Sequence, residues 1–163
     1  MAWASTVPAA IAGLVSALKA QELEGVEIYD GPAVSESKAL EVIMVGFAGE
    51  TMARTGAYPE PEQPEIEVTA SLDMQLGLVP VREQYPVRSL IAVLNGAKDV
   101  TAATARAFEL LAAVGAALAA DKKLGGAVAL ATLGNHSTTR AQTAKGALVS
   151  IVFDVNCDGW TSR

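Results

Sequence analysis

Residues 85–96 read YPVRSLIAVLNG and residues 97–120 read AKDVTAATARAFELLAAVGAALAA; together they decide how this chain folds. In the first run Tyr85, Val87, Ser89, Ile91 and Val93 fall on one face of an extended segment, and Pro86, Arg88, Leu90, Ala92 and Leu94 on the other. A period of two in β-branched and aromatic residues predicts a strand. Asn95-Gly96 is expected to supply the positive φ that ends it. Asp99 or Thr101 can then cap a helix, because a short side-chain oxygen accepts from the free N–H groups of the first turn. Val100, Ala103, Ala107, Phe108, Leu111, Val114 and Leu118 make an apolar stripe at helical spacing, with Arg106, Glu109 and Ala113 off it. A strand feeding an amphipathic helix through a short turn predicts a sheet with that helix on one face.

Outward from this centre, the 163 residues are the size of one domain, and 51% are hydrophobic, enough to bury a core. Ser5 or Thr6 can cap a first helix over 5–21, with Pro8 in its first turn and Val7, Ile11, Leu14, Val15 and Leu18 as its buried stripe. Val26–Tyr29 is a short alternating strand closed by Asp30-Gly31-Pro32. Leu40–Phe47 is apolar on both faces and so belongs inside the sheet. Residues 48–64, with Pro59, Pro61 and Pro64 among glutamates, predict an exposed arm, because proline denies a ladder donor. Glu65–Ser71 alternates as a strand, and residues 72–80 either continue it or resume after a bend. The whole of 48–80 is thus expected to form an inserted arm or hairpin. Beyond the long helix, Ala127–Leu133 predicts a strand, Gly134–Lys145 a polar connection, and Gly146–Asn156 a last strand with Val149, Ile151, Phe153 and Val155 facing inward. The fold class is α+β, a mostly antiparallel or mixed sheet with two helices on one face.

Several function classes are disfavoured. A net charge of −6 argues against a nucleic-acid surface, which needs a concentrated basic patch. The single cysteine, Cys157, rules out an internal disulfide or a cysteine metal cluster and fits a reducing compartment. No basic residue precedes Lys19, so no secretory leader is expected. The uncharged run after Glu109 is about a dozen residues, short of the roughly 20 of a membrane span. His136, beside Ser137, reads as an exposed loop histidine, since a triad needs partners brought together by folding. Cys157 reads as a small apolar residue. Glu60, Glu62, Glu65 and Glu67 lack the Asp/Asn-Gly loop that wraps Ca²⁺ and read as a solvated or partner-facing surface. Asp30, Asp99 and Asp154 read as turn and cap residues. No catalytic residue, cofactor site or metal site is expected.

Four features go further. Tyr29-Asp30-Gly31-Pro32 closes the first strand, and residues 82–87, REQYPV, lead into the strand that ends at Asn95-Gly96. Residues 105–111, ARAFELL, lie in the helix, and residues 124–128, LGGAV, open the next strand. In this order they resemble the tail terminator proteins of long-tailed, siphovirus-type bacteriophages, especially those of actinobacterial phages. The resemblance spans nearly the whole chain outside 48–80. It implies an α+β domain and a virion protein assembled in the host bacterial cytoplasm. It further implies a hexameric ring of identical copies that caps the head-proximal end of the tail tube, binds the major tail tube protein and stops its polymerisation. Such a ring offers a surface to the head–tail connector or stopper protein, and DNA passes through its lumen without specific binding. An acidic lumen would let DNA pass, because like charge avoids phosphate contacts. No enzyme activity, cofactor or membrane is implied. Exposure of loops and termini nominates Trp3, Tyr58, Glu60, Glu62, Glu65, Glu67, His136, Arg140 and Trp160 as interface residues. The rival readings are another neck or tail-completion protein, a small enzyme using His136 or Cys157, and a small ligand-binding α+β domain.

Overall fold

The computed structural model describes residues 4–32, 39–48, 66–71 and 81–161. Most of the 48–80 insertion therefore lies outside the described residues. In chain order the elements are α1 (Val7–Lys19), β1 (Val26–Asp30), β2 (Glu41–Val45), β3 (Thr69–Ser71), β4 (Arg82–Asn95), α2 (Val100–Ala120), β5 (Leu130–Thr143) and β6 (Gly146–Trp160). The fold is α+β: one mixed sheet ordered β1-β2-β4-β6-β5, with β3 paired to the start of β4. β1 and β2 are parallel; every other pairing is antiparallel. Both helices pack on the same face.

The long central strand arises as its pattern predicts. Tyr85, Val87, Ser89, Ile91 and Val93 are all buried. Four of them join Ile43, Val45, Val149, Ile151, Phe153 and Val155 under the helices in one core cluster. β2 lies between β1 and β4 and is buried on both faces, as its unbroken apolar run requires. Its Val42 and Met44 meet Leu90 and Ala92 on the face away from the helices. Asp99 caps α2, accepting from the Ala102 amide at 2.9 Å.

Several expectations need correction. Gly96 does not take a positive φ; Lys98 does, at 61°. The Asn95 side chain makes the break instead, its Oδ1 accepting from Ala97 N at 2.9 Å while its carbonyl accepts from Lys98 N at 3.1 Å. An Asx turn of this kind needs no glycine. Phe108 leaves the α2 stripe and stands 40% exposed, while Leu110 and Ala117 join the core. The first helix begins at Val7, and neither hydroxyl caps its end conventionally: Ser5 reaches only Val7 N at 3.3 Å, and Thr6 has no side-chain cap bond. Of the strand expected over 65–71, the described residues 66–68 lie outside it and Thr69–Ser71 form it.

The largest correction concerns 134–145. This stretch is no polar connection. It continues β5, paired to β6 down to Thr143–Gly146 and interrupted by an irregularity between Leu133 and His136. Thr132, Thr138, Thr139 and Thr143 are β-branched, and an outer strand exposed on both faces, as residues 135–140 are, accepts them as readily as apolar residues. The link to β6 is only Ala144-Lys145, with Thr143 Oγ1 accepting from Lys145 N and donating to the Gly146 carbonyl. β6 also runs further than expected, to Trp160.

Candidate interaction surfaces

The start of α1 is fixed by a buried polar chain. The Glu83 side chain is 1% exposed, and its Oε2 accepts from the Thr6 amide and the Thr6 hydroxyl, both at 2.8 Å. With that hydroxyl committed as a donor, the Tyr85 phenol donates to Thr6 Oγ1, again at 2.8 Å. Glu83 thus does from β4 what the glutamate of a capping box does locally, accepting from the N-cap residue's own amide where free N–H groups and the helix dipole favour a carboxylate. Burial pushes the Tyr85 phenol up to about 12. No local sequence signal could reveal this: Thr6 and Glu83 are 77 residues apart, and Glu83 sits where strand alternation with Tyr85 offered the only hint.

Ion pairs mark the opposite face. Arg82 pairs with Asp158, its Nε donating to Oδ1 at 3.0 Å, and Gln84 donates to the same carboxylate at 3.3 Å. Hydrogen bonding to Arg82 holds the Asp158 carboxyl below the usual carboxylate range. Trp160, opposite Arg82 in the β4–β6 register, is 54% exposed beside them. Asp154 pairs with Arg88 at 3.1 Å. Asp30 ends β1 and Asp99 caps α2, but Asp154 is neither turn nor cap: it lies within β6. On the helix side, Arg106 reaches Glu41 at 2.9 Å, Glu109 at 3.1 Å and the Glu24 carbonyl at 3.3 Å, tying α2 to β2 and to the approach of β1.

Of the nominated interface residues, Trp3, Tyr58, Glu60, Glu62 and Glu65 lie outside the described residues. Glu67 is exposed just before β3. His136 and Arg140 are exposed on β5, four residues apart on the face shared with the helices. The His136 ring meets Phe108 edge to face, centroids 5.9 Å apart. Ser137 points to the opposite face, so the neighbouring pair cannot act together. The Cys157 thiol is 3% exposed and burial pushes it up to about 12, which leaves it a poor nucleophile at neutral pH. Among the described residues no group of three or more His, Cys, Asp or Glu is placed to hold a metal.

What sequence reasoning missed is an uncharged outer surface. Ala105, Phe108, Ala112, Ala116 and Ala119 are exposed along α2, beside Leu133 on β5. Between α1 and α2 runs an open groove of about 680 Å³ lined by Ala9, Gly13, Ala17, Ala117, Ala120 and Gly125 among others. The signal was present: after Glu109 the helix has no charge on any face. By length and composition alone α2, with a mean hydropathy of 1.4, could cross a membrane; here its buried side packs on the sheet. No protein-family model matches the chain, and no curated protein matches it.

Proposed function

We propose that this protein is a structural virion component of the tail terminator class, forming a ring on the head-proximal end of a phage tail tube. The ring ends tube polymerisation and offers a surface for head–tail joining. Its action is steric and adhesive. The observation that carries the reading is β5, an outer strand of the sheet among the described residues: 14 residues with no proline and Arg140 as the one Asp, Glu, Lys or Arg, carrying exposed Leu130 and Leu133 beside exposed Phe108 on α2. Soluble domains blunt such edges unless they are used for association. The element order adds support, because helix, two strands, insertion, strand, long helix and two strands is the order on which the resemblance rests.

The test is the mass of the purified protein in solution, alone and with the candidate tube protein, together with micrographs of particles that lack it. A ring, alone or on tube ends, with overlong tails in its absence, is the expected result. Tails of normal length left unattached would make it a connector instead. A monomer indifferent to tubes would overturn the assembly reading.

A further inference from the structure

Among the described residues β1 and β5 are the two outer strands of the sheet, and their segments carry opposite charge. Residues 20–32, which contain β1, hold Glu22, Glu24, Glu27 and Asp30 and no lysine or arginine. Residues 130–145, which contain β5, hold His136, Arg140 and Lys145 and no acid, in a chain of net charge −6. β1 is short and acidic, which guards it against a neutral strand or another β1. It is not guarded against a strand like β5.

Strand direction agrees. Along the order β1-β2-β4-β6-β5 the pairings make β1 run opposite to β5. A second copy rotated about an axis parallel to the strands would therefore present its β1 antiparallel to this β5, helices on the same side. That contact is head-to-tail and generates a ring when it closes.

Closure without rise also sets the register. Following the ladders across the sheet, Val26, Glu41, Val93, Val149 and Arg140 share one level, and Ile28, Ile43, Ile91, Ile151 and Thr138 another. Copies at equal height would then pair Val26–Asp30 of one with Arg140–His136 of the next, Glu27 facing Thr139 and Asp30 facing His136. We propose that β1 and β5 of adjacent copies join in this register, so that the sheet continues from protomer to protomer. The inference rests on the ring reading and names the surface that builds the ring.

Glu27 and Thr139 are both exposed, and three strands separate them within one chain. Adjacent strands lie about 4.8 Å apart, so a disulfide between these positions cannot form inside a protomer. The double variant Glu27→Cys/Thr139→Cys, oxidised mildly, should give a covalent ladder of multimers on a non-reducing gel, each single variant giving none. Dimers from Thr139→Cys alone would mean that β5 pairs with itself and would overturn the proposal. Wild-type rings with no ladder from the double variant would overturn the edge pairing and leave the ring reading intact. A wild-type chain that never assembles, alone or with tubes, would overturn both.

Discussion

Replacing Glu83 by alanine removes the acceptor on which the whole start of α1 depends. Two hydrogen bonds to its Oε2, both at 2.8 Å, would be lost, and the Thr6 amide and hydroxyl would be left in a site that is 7% exposed. Net contributions of hydrogen bonds to charged groups run at about 1.5–3 kcal/mol each. A carboxylate at a helix N-terminus adds roughly 0.3–2 kcal/mol. Against these stands relief from burying a charge, which is worth several kcal/mol. The difference should be a loss of about 2–4 kcal/mol. Thr6→Val keeps the Thr6 amide on Glu83 and removes only the hydroxyl, for about 1–2 kcal/mol, and Tyr85→Phe, at the end of the chain, for about 1 kcal/mol. The assay is urea unfolding at one fixed, low protein concentration, with m checked for constancy. Amide exchange at the first turn of α1 should quicken in Glu83→Ala and much less in Tyr85→Phe. A Glu83→Ala loss below about 0.5 kcal/mol, the usual range of an innocuous surface change, would refute the reasoning. So would a Tyr85→Phe loss larger than that of Glu83→Ala.

Gly146 holds φ at 141°, and a Cβ there would stand 2.1 Å from the Asn95 carbonyl oxygen; Gly146→Ala should lose about 2–4 kcal/mol in the same unfolding assay, through strain and backbone collision together. Cys157 should resist a thiol reagent such as iodoacetamide in the native state at pH 8 and react readily in urea, as followed by mass spectrometry, because its thiol is buried and pushed up to about 12. The Asp158 carboxyl is held down by Arg82 in the fold. Its contribution to stability is therefore complete above the ordinary carboxylate range and lost as pH falls through the lowered folded value; Asp158→Asn should flatten that acid limb of a stability-versus-pH curve, and added salt should shrink the difference.

The central strand, the long helix and the buried second strand were legible because each is set by its own periodicity, and burial enforces that periodicity strongly. Residues 134–145 were misread because polar, threonine-rich sequence on an edge strand looks like a loop; only pairing with β6 makes it a strand. The Asn95 turn is hard to assign from sequence because Asn-Gly suggests a glycine conformation, whereas the Asn95 side chain and carbonyl close it with the positive φ at Lys98. Ser5 or Thr6 suits a local cap by residue type, but the Thr6 hydroxyl links Tyr85 to Glu83 instead. Of the nominated surface, His136 and Arg140 do share one face of β5, but that follows from strand alternation rather than from loop exposure. The uncharged outer face of α2 was overlooked because alanine counts equally well as core or as surface.

Under the proposed ring reading, that alanine surface bears on how the protein stays dispersed before it assembles. Each exposed alanine presents one methyl group, so Ala105, Ala112, Ala116 and Ala119 add little apolar area that could drive indiscriminate contact. Their small size still permits another backbone to approach closely. The β5 edge differs in kind, because its hydrogen-bonding groups demand a partner strand of a particular direction and register. An acidic β1 discourages its own kind through Glu27 and Asp30, and β5 with Arg140 lacks any acid that would repel β1. Attraction is then concentrated in the directional edge and withheld from the broad helix surface. A chain so divided favours ordered head-to-tail growth over amorphous association, which is what a ring of identical copies requires.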